Sequence, residues 1–335
     1  MNRIVVIGAG SWGAAIASAL MRATHKTSNP QKIIVLARRQ ESVDSLALGH
    51  CLHLPDTTLA MPIAATTDPA CIDDADLVFV AVPVVANEAS FLMIRDRQKD
   101  RHTDRKPATI VLCAKGIGKA ADGRAMLLTE LAADLLPSQP LAVFSGPSFA
   151  DEVFAGLPAA LVTASLDLSV VNEIQNAFDG SNLRLYSNDD PVGVALAGAM
   201  KNVIAIAAGC AVGAGFGDNA KAAILTRGLA EIARFATLME AKPDTIFGLA
   251  GVGDLALTCA GPHSRNMAFG IALGRGEAPP AKLAEGSQTV SQLAGLAKSK
   301  NIDLPITNAV NKLVNHNWDL HEVVASLLAR RAGAE

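Results

Sequence analysis

Through the first half of the chain, short runs of consecutive aliphatic residues alternate with stretches whose apolar positions recur every three to four residues. Runs at 3–7, 33–36, 77–82, 109–113, 142–144, 160–163 and 183–186 read as strands, and their near-continuous hydrophobicity is that of strands covered on both faces. Helical periodicity over 11–22 and 124–135 falls between them. Alternation of this kind is the pattern of βαβ units around a parallel sheet. After Ser187-Asn188-Asp189-Asp190-Pro191 the β-branched runs give way to alanine and leucine at helical spacing. Helices are expected at 192–208, 219–241, 265–273, 289–298, 307–314 and 320–332, the last opening on a capping box of Asp319 with Glu322. The stretch 209–217 reads as a short glycine-rich loop.

A chain of 335 residues at ~150 per domain has room for two domains, each able to bury its own core. The net charge of −3, from 29 Lys+Arg against 32 Asp+Glu, carries no basic cluster, so neither nucleic acid nor membrane insertion is expected among the partners. Five widely spaced cysteines without a CxxC pair indicate neither a disulfide framework nor a zinc site, and fit a cytoplasmic protein. The seven histidines have no ligand spacing, so no metal is expected. Arg3 followed by an apolar stretch and Ala17-Ser18-Ala19 mimics a signal peptide, but Gly8, Gly10 and Gly13 interrupt its apolar part. The uncharged run 203–217 is 15 residues long and broken by glycine, short of the ~20 a spanning helix needs.

Gly8-Ala9-Gly10-Ser11-Trp12-Gly13 is a GxGxxG placed directly after a strand and at the start of a helix. The three glycines serve a tight turn, backbone approach to a pyrophosphate, and close helix–strand packing, with the anion on the helix N-terminus. The fold class expected is therefore α/β, with an N-terminal Rossmann parallel-sheet domain over residues 1–190 and an all-α C-terminal domain over 191–335. At the end of the second strand, where a carboxylate would select NADH, stand Arg38 and Arg39, which suit a 2′-phosphate and argue that NADPH is accepted. Lys115, in Ala114-Lys115-Gly116, and the cluster Ser145-Gly146-Pro147-Ser148-Phe149-Ala150 each follow a strand's carboxyl end, where α/β sheets build their sites.

Lys201-Asn202 lies inside an otherwise apolar, small-residue helix. Buried polar groups of this kind need partners, and desolvation brings a lysine toward a pKa useful for general acid/base work. Asp254, in a glycine-rich apolar loop, offers one carboxylate. Ser264-Arg265-Asn266 opens a helix and suits a phosphate, through N-terminal N–H groups, a guanidinium fork and an amide.

Together these stretches resemble the bacterial-type NAD(P)-dependent sn-glycerol-3-phosphate dehydrogenases. The resemblance runs over essentially the whole chain: GxGxWG at 8–13, AKG at 114–116, SGPSFAxE at 145–152, GAMKNVIAIAAG at 198–209, GDNAKAAILTRGL at 217–229, GLAGVGDLxLTC at 248–259 and SRN at 264–266. It implies Lys201 as general acid/base. It implies substrate contacts at Lys115, Gly146, Ser148, Asp254, Ser264, Arg265 and Asn266. Cofactor contacts are implied at Gly8, Gly10, Ser11, Trp12, Gly13, Arg38, Arg39, Lys115, Ala150, Arg265, Leu283 and Glu285. Leu283 stands where the family more often shows valine.

The expected reaction interconverts dihydroxyacetone phosphate and sn-glycerol 3-phosphate with NADPH or NADH, and supplies glycerophospholipid synthesis. The expected partner is thus a small phosphorylated three-carbon substrate, in a cytoplasmic homodimer paired through its helical domain. Domain closure is expected to bring the second-domain Lys201 and Arg265 to a cofactor held by the first. Another lysine-dependent hydroxy-acid or sugar-acid dehydrogenase is the alternative enzyme, and a dinucleotide-sensing regulator without turnover is the alternative from outside enzymes.

Overall fold

The apolar runs of the first half become one sheet. In the computed structural model, which describes residues 3–24, 31–59, 61–99, 106–120, 122–280, 284–316 and 318–328, the strands are β1 (Arg3–Ile7), β2 (Lys32–Leu36), β3 (His50–Cys51), β4 (Leu54–Thr58), β5 (Ala65–Thr66), β6 (Leu77–Val80), β7 (Thr109–Leu112), β8 (Ile117–Lys119), β9 (Ala125–Leu127), β10 (Leu141–Ser145), β11 (Ala159–Ala164) and β12 (Leu183–Asn188). Eight of them form a sheet in the order β12-β11-β10-β7-β6-β1-β2-β5. From β5 to β10 every neighbouring pair is parallel, which is the Rossmann strand order. The expected parallel sheet needs one correction: β10 and β11 pair antiparallel, with β12 parallel to β11 at the edge. The helix between β10 and β11 spans six residues, about 9 Å at 1.5 Å per residue, too short to carry the chain back along a strand.

The helices are α1 (Ser11–Thr24), α2 (Gln40–Ala47), α3 (Asn87–Gln98), α4 (Leu128–Leu135), α5 (Ala150–Ala155) and α6 (Leu168–Ala177), then α7 (Pro191–Gly213), α8 (Gly217–Leu238), α9 (Pro243–Phe247), α10 (Asp254–Thr258), α11 (Arg265–Gly274), α12 (Glu285–Ser299), α13 (Pro305–Asn315) and α14 (Leu320–Leu328). Two compact units result. The first is Met1–Ala114 with Leu128–Val194, and the second is Lys115–Leu127 with Ala195–Glu335. The stretch Lys115–Leu127, which a division at 190 puts in the first domain, thus belongs with the helices.

That stretch also departs from the helix expected over 124–135. Its first residues form β9, paired antiparallel with β8 from Ile117↔Leu127 to Lys119↔Ala125, and only Leu128–Leu135 is helical. Asp122-Gly123 turns the hairpin, with Gly123 at φ +85°, the left-handed conformation that Asp-Gly turns supply. Ile117 and Leu127 are buried, and the hairpin packs on α12.

In the first unit, α1 is buried along most of its length. Phe79, Phe144 and Phe178 meet ring to ring at 5.5–5.9 Å in its core. Helix α7, which belongs to the second unit from Ala195 onward, is 23 residues long and apolar enough to span a membrane, yet 89% of its most apolar window is buried within the protein. It is a core helix. Asp190 caps its start, accepting from Gly193 N at 2.7 Å, with Pro191 at the first helical position, where its missing N–H is not needed.

The expected glycine-rich loop from 209 is a further correction, because Gly209 and Gly213 lie within α7. A Cβ on Gly209 would lie 2.4 Å from Met267 O, on Gly213 2.2 Å from Ile271 O, on Gly270 2.2 Å from Ile206 O, and on Gly274 2.2 Å from Cys210 O. Four glycines, two on each helix at four-residue spacing, therefore let the backbones of α7 and α11 touch. Elsewhere in this unit the buried Glu231 accepts from Ile306 N, Thr307 N and the Thr307 hydroxyl, capping α13. Half of the expected capping box of α14 forms: Asp319 N donates to Glu322 Oε2 at 3.2 Å, while Asp319 Oδ1 accepts from His321 N at 2.8 Å instead of from Glu322 N.

Candidate active site

In the first unit, the carboxyl ends of the parallel strands carry the dinucleotide motif. Gly8 follows β1 at φ +112°, and a Cβ there would lie 2.7 Å from Ala81 O. A Cβ on Gly13 would collide with Gly8 O, whereas one on Gly10 would meet nothing within 4 Å. Turn, packing and open approach are thus divided among the three glycines, and α1 begins at Ser11, directly after the open position. Trp12 stacks on Phe144 with ring centroids 6.2 Å apart, and its buried Nε1 has no hydrogen-bond partner among the described residues. An open glycine, an orphaned indole N–H and a free helix N-terminus fit a dinucleotide.

Arg38 and Arg39 follow β2 and are exposed. Arg39 pairs with Glu41 at 2.7 Å. Arg38 has no bond among the described residues. At the end of β10, Gly146 takes φ +132° with its Cβ position 3.1 Å from Leu161 Cα, so a side chain would be strained there. Ser148 Oγ donates to Gly146 O at 3.2 Å, and Ala150 opens α5.

The second unit gathers the ionisable residues. A π-helical turn at Leu249–Gly253, closed by Gly253 N donating to Gly248 O at 3.2 Å, delivers Asp254 to the first position of α10. Turns of this kind re-aim the residue that follows, and this one depends on Gly251, where a Cβ would collide with Ile246 O. Asp254 Oδ1 accepts from Lys201 Nζ at 2.6 Å and Oδ2 from Lys115 Nζ at 2.7 Å. Lys201 Nζ also donates to Thr258 Oγ1 at 2.7 Å, and that hydroxyl donates to Asp254 O. Thr258 is the residue sequence reasoning passed over, although it stands one helical turn beyond Asp254.

Burial sets the electrostatics. The side chains of Asp254 and Lys201 are 2% and 9% exposed. Desolvation depresses Lys201 to a pKa of about 8; Asp254 opposes that fall and the Lys115 charge adds to it. Burial alone would raise Asp254, but the charges of Lys115 and Lys201 and their hydrogen bonds outweigh it and hold the carboxyl below its usual range. The result is two cations on one carboxylate.

Beside this cluster, Asn202 Nδ2 donates to Lys115 O at 3.3 Å, Asn266 Nδ2 to Asn202 Oδ1 at 2.9 Å, and Gly286 N to Asn266 Oδ1 at 2.9 Å. Ser264 caps α11, accepting from Met267 N at 3.4 Å. Arg265 is half exposed, with Nη2 4.0 Å from Glu285 Oε1. Leu283 lies outside the described residues. Lys115, Lys201, Asp254, Ser264, Arg265, Asn266 and Glu285 all belong to this one unit.

Comparison with known proteins shows the family. The family profile for the NAD-dependent glycerol-3-phosphate dehydrogenase N-terminus matches residues 3–171, and that for the C-terminus matches residues 190–325. The chain belongs to this family. It is 39% identical over 331 residues to a glycerol-3-phosphate dehydrogenase (NAD(P)+) of Mesorhizobium japonicum, covering 98% of this chain and 92% of that one. It is 40% identical over 334 residues to the enzyme of the same name from Brucella ovis, covering 98% of each. A crystal structure of glycerol-3-phosphate dehydrogenase from Coxiella burnetii superposes with a TM-score of 0.88 at 33% identity, over 98% of this chain and 99% of that one.

Proposed function

We propose that the protein catalyses reversible hydride transfer between NADH or NADPH and the pair dihydroxyacetone phosphate and sn-glycerol 3-phosphate, with Lys201 as general acid/base. The observation that carries this reading is a buried lysine held on a buried carboxylate that a second lysine shares. The nicotinamide, when bound, supplies or takes the hydride.

Lys201 uses two N–H groups on Asp254 and Thr258, which leaves the third for a substrate oxygen. In reduction that N–H protonates the carbonyl oxygen as its carbon is reduced; in oxidation the neutral amine takes the C2 hydroxyl proton. Lys115 shares Asp254 and adds a fixed positive charge where alkoxide character develops. The start of α11 and the Arg265 guanidinium suit the phosphate. A dianion brought beside these cations opposes the depression of Lys201.

Arg38, exposed after β2 and without a bond among the described residues, supports acceptance of a 2′-phosphate and hence of NADPH. The physiological setting we infer is the cytoplasm, with glycerol 3-phosphate supplied to glycerophospholipid synthesis. The helical unit exposes Phe216, Leu238 and Phe247, in keeping with the expected homodimer.

The test is loss of nicotinamide absorbance with dihydroxyacetone phosphate, using NADH and NADPH, on the wild type and Lys201→Ala. The variant is expected to lose ~10²- to 10⁴-fold in kcat while still binding cofactor. Wild-type protein that binds cofactor but turns over a hydroxy acid, or nothing, would overturn the reading.

A further inference from the structure

Three hydrogen bonds, two of them buried and the one to Lys115 part-buried, join four separate stretches of the helical unit into one line of amides, running from Gly286 N through Asn266 and Asn202 to the main-chain carbonyl of Lys115. Its direction is forced. A backbone N–H at one end can only donate and a carbonyl at the other can only accept, so neither side-chain amide can turn over without losing both bonds. Asn202 and Asn266 are 3% and 8% exposed, and a bond left unmade there strands a buried polar group. The start of α12 is drawn close to α7, since a Cβ on Gly286 would lie 2.7 Å from Asn202 O.

Every member of this line adjoins a charge. Lys201, Arg265 and Glu285 immediately precede Asn202, Asn266 and Gly286, and the last acceptor is the backbone of Lys115 itself. Successive side chains on a helix diverge by about 100°, so pinning Asn202 fixes the rotation of α7 and with it the direction of Lys201. Pinning Asn266 does the same for Arg265 at the start of α11. The glycine crossing of α7 and α11 farther along both helices supplies a second anchor for the same pair.

We propose that Asn202 and Asn266 are positioning residues, whose relay sets the spacing of Lys115, Lys201, Arg265 and Glu285 as one rigid set. This rests on the lysine chemistry proposed above. Asn266 then acts on the lysines through Asn202, although its amide bonds to neither. Loosening the relay removes one restraint on the Lys115 backbone, weakens its hold on Asp254, and leaves that carboxylate more fully to Lys201.

The experiment is steady-state reduction of dihydroxyacetone phosphate by NADPH as a function of pH, on the wild type, Asn202→Ala, Asn266→Ala and the double variant. Each single variant is expected to lose about 10²-fold in kcat/KM, with part of the loss in kcat, as a misplacement of ~1 Å can produce. The double variant should lose little more than the worse single one, and the alkaline fall in kcat should move to higher pH in all three. Single losses that multiply in the double variant would overturn the relay. So would Asn266→Ala that raises KM while leaving kcat and the alkaline fall in place, the signature of a direct substrate contact.

Should the alanine variants fail to melt cooperatively, Gly286→Ala displaces the line from its far end without changing a charge. It must lower kcat and move the alkaline fall upward, and leaving both unchanged would refute the proposal. Wild-type turnover is the control. Its absence defeats the reading of the site and the relay with it, whereas wild-type turnover with unaffected variants defeats the relay alone.

Discussion

Asp254 holds two ammonium groups with a single carboxylate, so the cluster keeps a net positive charge inside the protein. The second lysine therefore shares in tuning the first: the Lys115 charge contributes to the depression of Lys201, while Asp254 limits it. Asp254→Asn removes the limit and keeps the like-charge neighbour. The pKa of Lys201 should then fall further below 8, and the alkaline loss of reductase activity should begin at lower pH, opposite in direction to the shift expected from the relay variants. A pH profile of kcat on Asp254→Asn checks it, and a break at or above the wild-type position would contradict the shared-carboxylate account.

Packing between elements is close where α7 crosses α11, because a Cβ on any of the four glycines would lie within 2.4 Å of the other helix's backbone. Gly270→Ala would place a Cβ 2.2 Å from Ile206 O, and a backbone carbonyl inside a helix has little room to give. The expected cost is ~1–3 kcal/mol or more, measured as a drop in the urea midpoint. Gly261→Ala, whose Cβ meets nothing within 4 Å, should stay within ~0.5 kcal/mol of wild type. This crossing also marks the limit of what local sequence discloses. The strands of the Rossmann sheet were legible because burial on both faces leaves a continuous apolar run, and Lys201-Asn202 stood out against an apolar helix. Gly209 and Gly213 read as a loop because their reason is another helix, 61 residues on from each at Gly270 and Gly274. The reversed direction of β11 and the bond from Lys115 to Asp254, 139 residues apart, are likewise written in no local pattern. The β8–β9 hairpin differs, since its Asp122-Gly123 signal was present and the helical periodicity that follows it concealed it.

For the whole molecule, the buried lysine is a burden on stability as well as an asset to catalysis. An unfolded Lys201 holds its proton up to a pKa near 10.5, whereas the folded one releases it from about 8. Between those values the unfolded chain binds the extra proton, so folding stability from this group rises with pH across that window, and below it the folded protein carries the full penalty, ~3 kcal/mol. Lys201→Met keeps Asp254 paired with Lys115 and should melt higher than wild type at pH 7. Thermal melts across pH 7.5–10 should show that advantage shrinking, and an advantage constant with pH would refute the linkage. The hairpin at Lys115–Leu127 bears on a different matter, how such a protein can be recombined. A chimera that exchanged residues 1–190 for another dinucleotide-binding unit at one crossover would discard the hairpin, and with it one of the two cations on Asp254. Breakpoints at Ala114/Lys115, Leu127/Leu128 and Val194/Ala195 are what a unit exchange must respect, so cofactor modules trade between enzymes of this build only by a three-cut graft.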